Sequence, residues 1–273
     1  MPKPQTIIQP ASRFSLNLRE LWQYRELFYF FTWRDIKVKY KQTFLGILWA
    51  VLQPLSLMLL FTLIFSKKLQ FDSEGIRYEI FVLSGLILWN IFYTSVSMAS
   101  ESMIHHSDII KKIFFPRLIV PTASILAALF DFLIAFVLFI IFCFIYNVIP
   151  GWEALIAFPA AILLTVLSAF GTGIFLSALN IKFRDFRYVV PFMLQFLFFA
   201  TQIVYSLKTV EHKWLQYLLA VNPVNGAIEI FRSAFTNQYN SDVILISILS
   251  AIVITFTGII YFKKSEAYFA DLA

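Results

Sequence analysis

Five stretches of this chain, residues 44–65, 80–100, 118–145, 154–179 and 243–262, run for 20 residues or more with at most one charged side chain each. A helix rises 1.5 Å per residue and a bilayer core is about 30 Å thick, so about 20 apolar residues cross it. Within hydrocarbon every backbone polar group needs a partner in its own segment, which makes helices the form for such runs. A sixth run, residues 189–206, is shorter and carries Gln195 and Gln202. The predicted fold is an all-α membrane protein with six transmembrane helices. Composition agrees: 60% of the residues are hydrophobic and 14% charged, whereas a soluble domain has about 25% charged residues.

Lysine and arginine collect in cytoplasmic loops, and that bias sets orientation. With the N-terminus inside, Lys3, Arg13, Arg19, Arg25, Arg34, Lys37, Lys39, Lys41, Lys111, Lys112, Arg117, Lys182, Arg184, Arg187, Lys263 and Lys264 share one side. Only Lys67, Lys68, Arg77, Lys208, Lys213 and Arg232 fall on the other. Both termini are therefore expected in the cytoplasm. The N-terminus, MPKPQTIIQPASRF, has no apolar core of the signal-peptide kind, so no cleaved signal is expected and the first span directs insertion.

The organisation that follows has three parts. Residues 1–43 form a cytoplasmic tail and an amphipathic interface helix, residues 44–262 the six-span domain, and residues 263–273 a second cytoplasmic tail. The interface helix is predicted over 18–31: Arg19, Glu20, Gln23 and Glu26 fall on one arc, and Leu18, Leu21, Trp22 and Phe28 on the other, with Trp22, Tyr24 and Tyr29 as anchors. Between the last two spans, residues 212–235 read HKWLQYLLAVNPVNGAIEIFRSAF. Asn222-Pro223 interrupts this segment, since proline cannot continue a helix. Neither half is long enough to cross, and a single span here would put Lys263 and Lys264 outside. The segment is expected to be a re-entrant hairpin from the outer face and a candidate gate, with an interfacial loop as the alternative. Asn222, Pro223, Glu229 and Arg232 mark it, and the three-residue spacing of Glu229 and Arg232 lets them pair on one helix face.

Several chemistries are excluded. None of the eight glycines is followed by lysine, so the chain has no phosphate-binding loop of the Gly-Lys-Ser/Thr kind and hydrolyses no ATP by itself. The single cysteine, Cys143, lies in an apolar run, and no His/Cys cluster has metal-ligand spacing. No paired carboxylates or nucleophile–base pair marks an enzyme site. Asp131 is the one charge well inside a run; a charge there costs about 2.5–3.5 kcal/mol, so it faces the bundle as polar glue, lines a path or couples a proton. Ala169, Gly173 and Ser177 form a small-residue ridge that suits either internal packing or a dimer contact.

Other residues read as transport features. Many of the aromatics lie within the spans. Trp49, Phe61, Trp89, Phe92, Tyr93, Phe192, Phe196, Phe199 and Tyr205 are candidates for a wall that binds sugar rings weakly, although lipid or core packing explains any one of them. Residues 101–117 form a cytoplasmic loop containing SDIIKKIFFPR. Asp108 and Lys111 suit the dipole of a short helix, and Ile109, Ile110, Ile113 and Phe114 give it an apolar side for a soluble partner.

Residues 33–55, WRDIKVKYKQTFLGILWAVLQPL, resemble the start of the first span in permease subunits of ABC type 2 exporters, in the branch that exports polysaccharides. The basic-aromatic run Arg34–Lys41, Leu45-Gly46, Trp49 and Gln53-Pro54 follow that pattern in order. Asn222-Pro223 with Glu229 and Phe231-Arg232, and Lys111 with Phe115-Pro116-Arg117, resemble later motifs. The likeness covers nearly the whole chain, with O-antigen export nearest and teichoic acid or capsule export close behind. It implies a homodimer in the bacterial inner membrane, two copies of a separate P-loop ATPase carrying ATP and Mg, no cofactor on this chain, and a lipid-linked polysaccharide moved outward. It also implies that Asp108, Ile109, Ile110, Lys111, Phe114, Pro116 and Arg117 couple to the ATPase, and that the hairpin gates the outer end. Arg34, Lys37, Lys39 and Lys41 would meet the lipid diphosphate. The rival readings are an efflux permease for small lipophiles, a membrane glycosyltransferase and an ion-coupled carrier leaning on Asp131.

Overall fold

The computed structural model describes residues 18–41, 46, 48–66, 73–266 and 269. Residues 1–17 of the N-terminal part expected over 1–43, residues 270–273 of the tail expected over 263–273, Phe44 and Leu45 of the first run, and Lys67 and Lys68 lie outside them, as do the side chains of Leu18, Arg19 and Glu20. Among the described residues the structure is all helical. In chain order the helices are α1 (Leu18–Gln23), α2 (Arg25–Tyr40), α3 (Leu48–Phe61, continued by a π-helical turn Thr62–Ser66), α4 (Tyr78–His105), α5 (Ser107–Lys112), α6 (Ile119–Ile145), α7 (Ala154–Lys182), α8 (Phe186–Phe199), α9 (Lys213–Ala220), α10 (Pro223–Thr236) and α11 (Ser241–Ser265).

Among the described residues, five helices are long and apolar enough to cross a membrane: α3 with its π-helical turn, α4, α6, α7 and α11. The sixth expected span falls short. Its helix, α8, has 14 residues, about 21 Å of rise. Helix geometry ends at Ala200 because the following backbone finds its partners in side chains of another element, as described below.

Helix α4 is the axis of the bundle. In its most apolar stretch 78% of the residues are buried, against 22% for α11 and 11% for α3, because α3, α6, α7, α8 and α10 all pack on it. Hydropathy alone does not separate these helices; neighbours do. The small-residue ridge belongs to this interior: Ala169 and Ser177 are buried, and a Cβ on Gly173 would press on Ala99 of α4. It is therefore an internal helix contact. A second close crossing joins α7 to α11, where Gly171 lies against the Thr255 backbone and Gly258 against the Gly171 carbonyl, with no room for a side chain at either glycine.

The expected interface helix is two helices. The break falls at Tyr24, and α2 then runs to Tyr40, through the basic cluster. Thr32 donates to the Ala123 carbonyl, Ser124 to Asp35, and Tyr40 to Asp131. The partners advance together, so α2 runs parallel to the first half of α6 with Phe31 buried beside Phe115 and His106. Trp22 and Tyr29 stay exposed and Tyr24 is half-buried.

The hairpin also differs from expectation in its second arm. Pro223 begins α10 at its first turn, where its missing N–H costs nothing, and Asn222 caps that turn by accepting from the Val224 N–H at 3.2 Å. The arm therefore has 14 residues, nearly four turns. Its bend lies beside α11: Ser247 donates to the Ala220 carbonyl and Ser250 to that of Val221. Ser250 is more than two turns into α11, so the bend packs against the body of that helix.

Candidate functional site

The basic cluster on α2 divides by what each side chain meets. Arg34 is bonded to the Nε2 of buried His106 and lies 3.8 Å from Asp35. His106 Nδ1 donates to the Ser102 carbonyl at 2.6 Å, which leaves Nε2 a lone pair for the guanidinium. Lys39 and Tyr40 both donate to Asp131. Burial and the Asp131 carboxylate together hold the Tyr40 phenol well above its ordinary range. Lys37 lies over the Trp33 ring at 5.4 Å, and Lys41 is exposed at the end of the helix. Of the four expected diphosphate ligands, two are thus committed to internal partners. Asp131 is glue between α2 and α6, in a seam completed by Asp35 and Ser124. That seam could not be read along the chain, because its partners lie about ninety residues apart.

His106 immediately precedes the short helix α5, so this same histidine joins α5 to α2. The apolar side expected on α5 splits. Ile110 turns inward onto Phe31 and Phe115, and Ile109 is half-buried, while Ile113 and Phe114, just past the helix, are exposed, Phe114 by 75%. Asp108 and Lys111 are exposed beside them, and Pro116 is half-buried. Arg117 is drawn away from this tip: it donates to the Glu266 carbonyl and lies 6.0 Å from the Phe269 ring.

The aromatic candidates separate as well. Trp89 and Phe92 are core residues, Trp89 packing edge-on to Phe198 at 5.7 Å. Phe61 stacks on the same Phe198 at 6.0 Å and is half-buried. Tyr205 is half-buried, its hydroxyl 3.4 Å from the Phe199 carbonyl. Phe192, Phe196 and Phe199 are exposed in one stripe along α8, and Trp49 and Tyr93 are exposed on α3 and α4.

At the other end Arg232 and Glu229 do not pair with each other. Arg232 is fully buried. Its guanidinium lies 3.4 Å over the Phe81 ring and donates to the carbonyls of Phe81 at 2.9 Å and Ile203 at 3.0 Å and to the Ser84 hydroxyl at 3.3 Å. Glu229 accepts from the Asn240 N–H at 2.9 Å and from Gln202 at 3.4 Å, and lies 3.8 Å from Lys208. Lys208 in turn bonds Glu74 at 2.6 Å. Gln202 donates twice to Asn225, from its backbone N–H to the side-chain oxygen at 2.7 Å and from its side-chain amide to the carbonyl at 2.6 Å, and the Asn225 amide donates to the carbonyls of Ala200 and Leu219. Asn222 donates to Thr201 at 2.8 Å. These side chains satisfy the backbone that leaves α8, which is how irregular chain persists inside the bundle. The four expected gate residues are thus fixed points; the exposed surface of the hairpin lies on α9, at Trp214 and Leu218. Gln202 was visible as a polar residue in an apolar run, but Glu74 and Lys208 carried no such mark.

Residues 26–236 match the model of the family described as ABC-2 type transporter. An O-antigen export system permease of Klebsiella pneumoniae is 30% identical over 240 residues, covering 88% of this chain and 92% of the relative. The O-antigen export system permease of Myxococcus xanthus is 28% identical, covering 93% and 98%. The polysialic acid transport protein KpsM of Escherichia coli is 26% identical, covering 85% and 91%.

Proposed function

The chain belongs to the ABC-2 type transporter family, and from that premise we propose that it is the permease subunit of an ATP-driven exporter of lipid-linked polysaccharide, of the O-antigen kind. The observation that carries this reading is end-to-end similarity to O-antigen permeases, which leaves no large part of either chain unmatched. Similarity to a polysialic acid transport protein keeps capsule export as the second reading, with the same machinery and a different glycan.

The working unit is a homodimer in the inner membrane with two copies of a separate ATPase that binds ATP and Mg. Each protomer crosses six times, α8 together with residues 200–206 making the fifth passage, and both termini are cytoplasmic. The exposed faces of α3 and α8, with Trp49 and the Phe192, Phe196, Phe199 stripe, form the walls of the path between protomers. Aromatic faces pack on the C–H faces of sugar rings and hold each unit weakly, as a moving polymer requires. The tip Ile113-Phe114, with Asp108 and Lys111 beside it, docks on the ATPase. Its displacement reaches α2 through His106 and Arg34. The cations free to meet a lipid diphosphate are Lys37 and Lys41. The α9–α10 hairpin re-enters from the outer face, with α10 as the anchored arm and α9 as the gating arm.

Deleting the gene in its host tests this directly. Lipid-linked glycan should accumulate on the cytoplasmic side and surface glycan should be lost, with both restored by the gene supplied in trans. Unchanged surface glycan in the deletion strain would exclude the export reading.

A further inference from the structure

A cavity of about 290 Å³ opens between α2, α3, α4 and α6. That volume is at the lower end of small-ligand pockets. Its depth is unusual for its chemistry. Asn90 sits 12 residues after Tyr78 and 15 before His105 on α4, about 18 Å and 22 Å from the two ends. Asp131 lies 12 residues into α6. The cavity is therefore near the middle of the spans, yet its lining includes Asn90, Thr94, Gln53, Lys39, Asp131 and Trp49.

Two of these groups satisfy each other. Lys39 and Asp131 are paired, so the wall they form has no net charge. The other polar groups are open. Asn90 and Thr94, half-buried and four apart on one face of α4, and Gln53, exposed on α3, line the cavity, and their side chains make no hydrogen bond among the described residues. An amide or hydroxyl left without a partner at this depth is costly. Three that converge on one space from two helices point to something polar that enters it.

The character of that ligand follows from the lining. A phosphate would meet Asp131 beside Lys39 and find no surplus positive charge, since a single paired lysine offers no anion site. Two carboxamides and a hydroxyl, each able to donate and accept, suit a ligand that does both at several points in a small volume. The exposed Trp49 supplies a ring face. We propose that this cavity is a glycosyl subsite, holding one neutral sugar ring of the transported glycan within each protomer, with Trp49 shared between it and the path between protomers. The proposal rests on the export reading above.

The test uses the complete complex of this chain with its ATPase in nanodiscs. The probe is the lipid-linked glycan pool extracted from membranes of the host lacking the transporter, and ATPase activity is read against probe concentration. Asn90→Leu and Thr94→Val remove unpartnered polar atoms from a mid-span position, so both variants should insert and keep or raise Tm. Each should raise the half-stimulating concentration about tenfold. Gln53→Met, on the separate helix α3, is an independent variant with the same expected direction. Neutral oligosaccharide freed from the pool by mild acid should compete in the wild type and lose that effect in Asn90→Leu, whereas inorganic diphosphate should not compete through this site. Stimulation of the wild type with midpoints unchanged in all three variants would overturn the subsite while leaving export intact. Competition by diphosphate that Asn90→Leu abolishes would overturn it in favour of an anion site. A pool that fails to stimulate the wild type would overturn the export reading and the subsite with it.

Discussion

The guanidinium of Arg232 lies over the Phe81 ring, 3.4 Å from its centre, and ties α10 to α4 and to the backbone at Ile203 in one step. A lysine could supply the charge but not the planar fork that reaches two carbonyls and a hydroxyl together. Arg232→Ala leaves those buried acceptors without their donor and empties the space over the Phe81 ring. It should cost about 3–5 kcal/mol, and Arg232→Lys should recover only part of that. Unfolding of the detergent-solubilised protein measures both. Equal stability of the lysine variant and wild type would show that charge alone holds this joint.

Asp131 and Lys39 predict a local effect. Asp131→Asn strands the lysine and should free α2 from α6, at a cost of about 1–3 kcal/mol. Faster hydrogen exchange confined to residues 25–40 would report it. The triple variant Lys39→Met, Tyr40→Phe and Asp131→Leu should restore protection, because it removes the acceptor together with both of its donors.

Tyr40 sets a pH window for the same seam. Its folded phenol titrates well above the ordinary value near 10, through burial first and then its bond to and charge repulsion from Asp131. A raised folded value means the seam's stability is fully present below about pH 10 and is lost as pH climbs past it. Exchange of α2 amides should therefore show no loosening between neutral pH and pH 10 beyond the intrinsic base-catalysed rise. Tyr40→Phe should abolish any opening step above that range.

The tip beside α5 predicts a loss of assembly without a loss of fold. Phe114→Asp or Ile113→Asp changes an exposed side chain, so Tm should move by no more than about 0.5 kcal/mol in stability. Co-purification of the ATPase subunit should fall at least about tenfold if these residues sit at the centre of the contact. Undiminished co-purification would move the docking surface elsewhere.

The α7–α11 crossing predicts intolerance to one methyl group. A Cβ at Gly171 would meet the Thr255 backbone, which has no flexible end to yield. Gly171→Ala should cost about 1–3 kcal/mol, read as a lowered Tm. Gly75, whose Cβ would meet no neighbour but whose φ is +79°, should show only the smaller cost of a strained turn.

Much of this architecture was legible along the chain. The helices α4, α6, α7 and α11 follow the apolar runs to within a few residues, because each buries its own backbone polar groups and needs no distant partner to exist. Asn222-Pro223 announced a break for the same local reason, although proline also served as the start of α10. The motifs in residues 33–55 and 222–232 were enough to point to the transporter family.

What the sequence could not decide is which face of each apolar helix meets protein and which polar residues meet each other. Lys39 and Asp131 are 92 residues apart, and Arg232 and Phe81 are 151 apart. Nothing local distinguishes a lysine that binds phosphate from one that closes a seam, or Trp89 in the core from Phe196 on the surface. Apolar runs set where the chain can cross, because that cost is counted residue by residue. Pairing depends on which helices come together, and only the packed bundle fixed that.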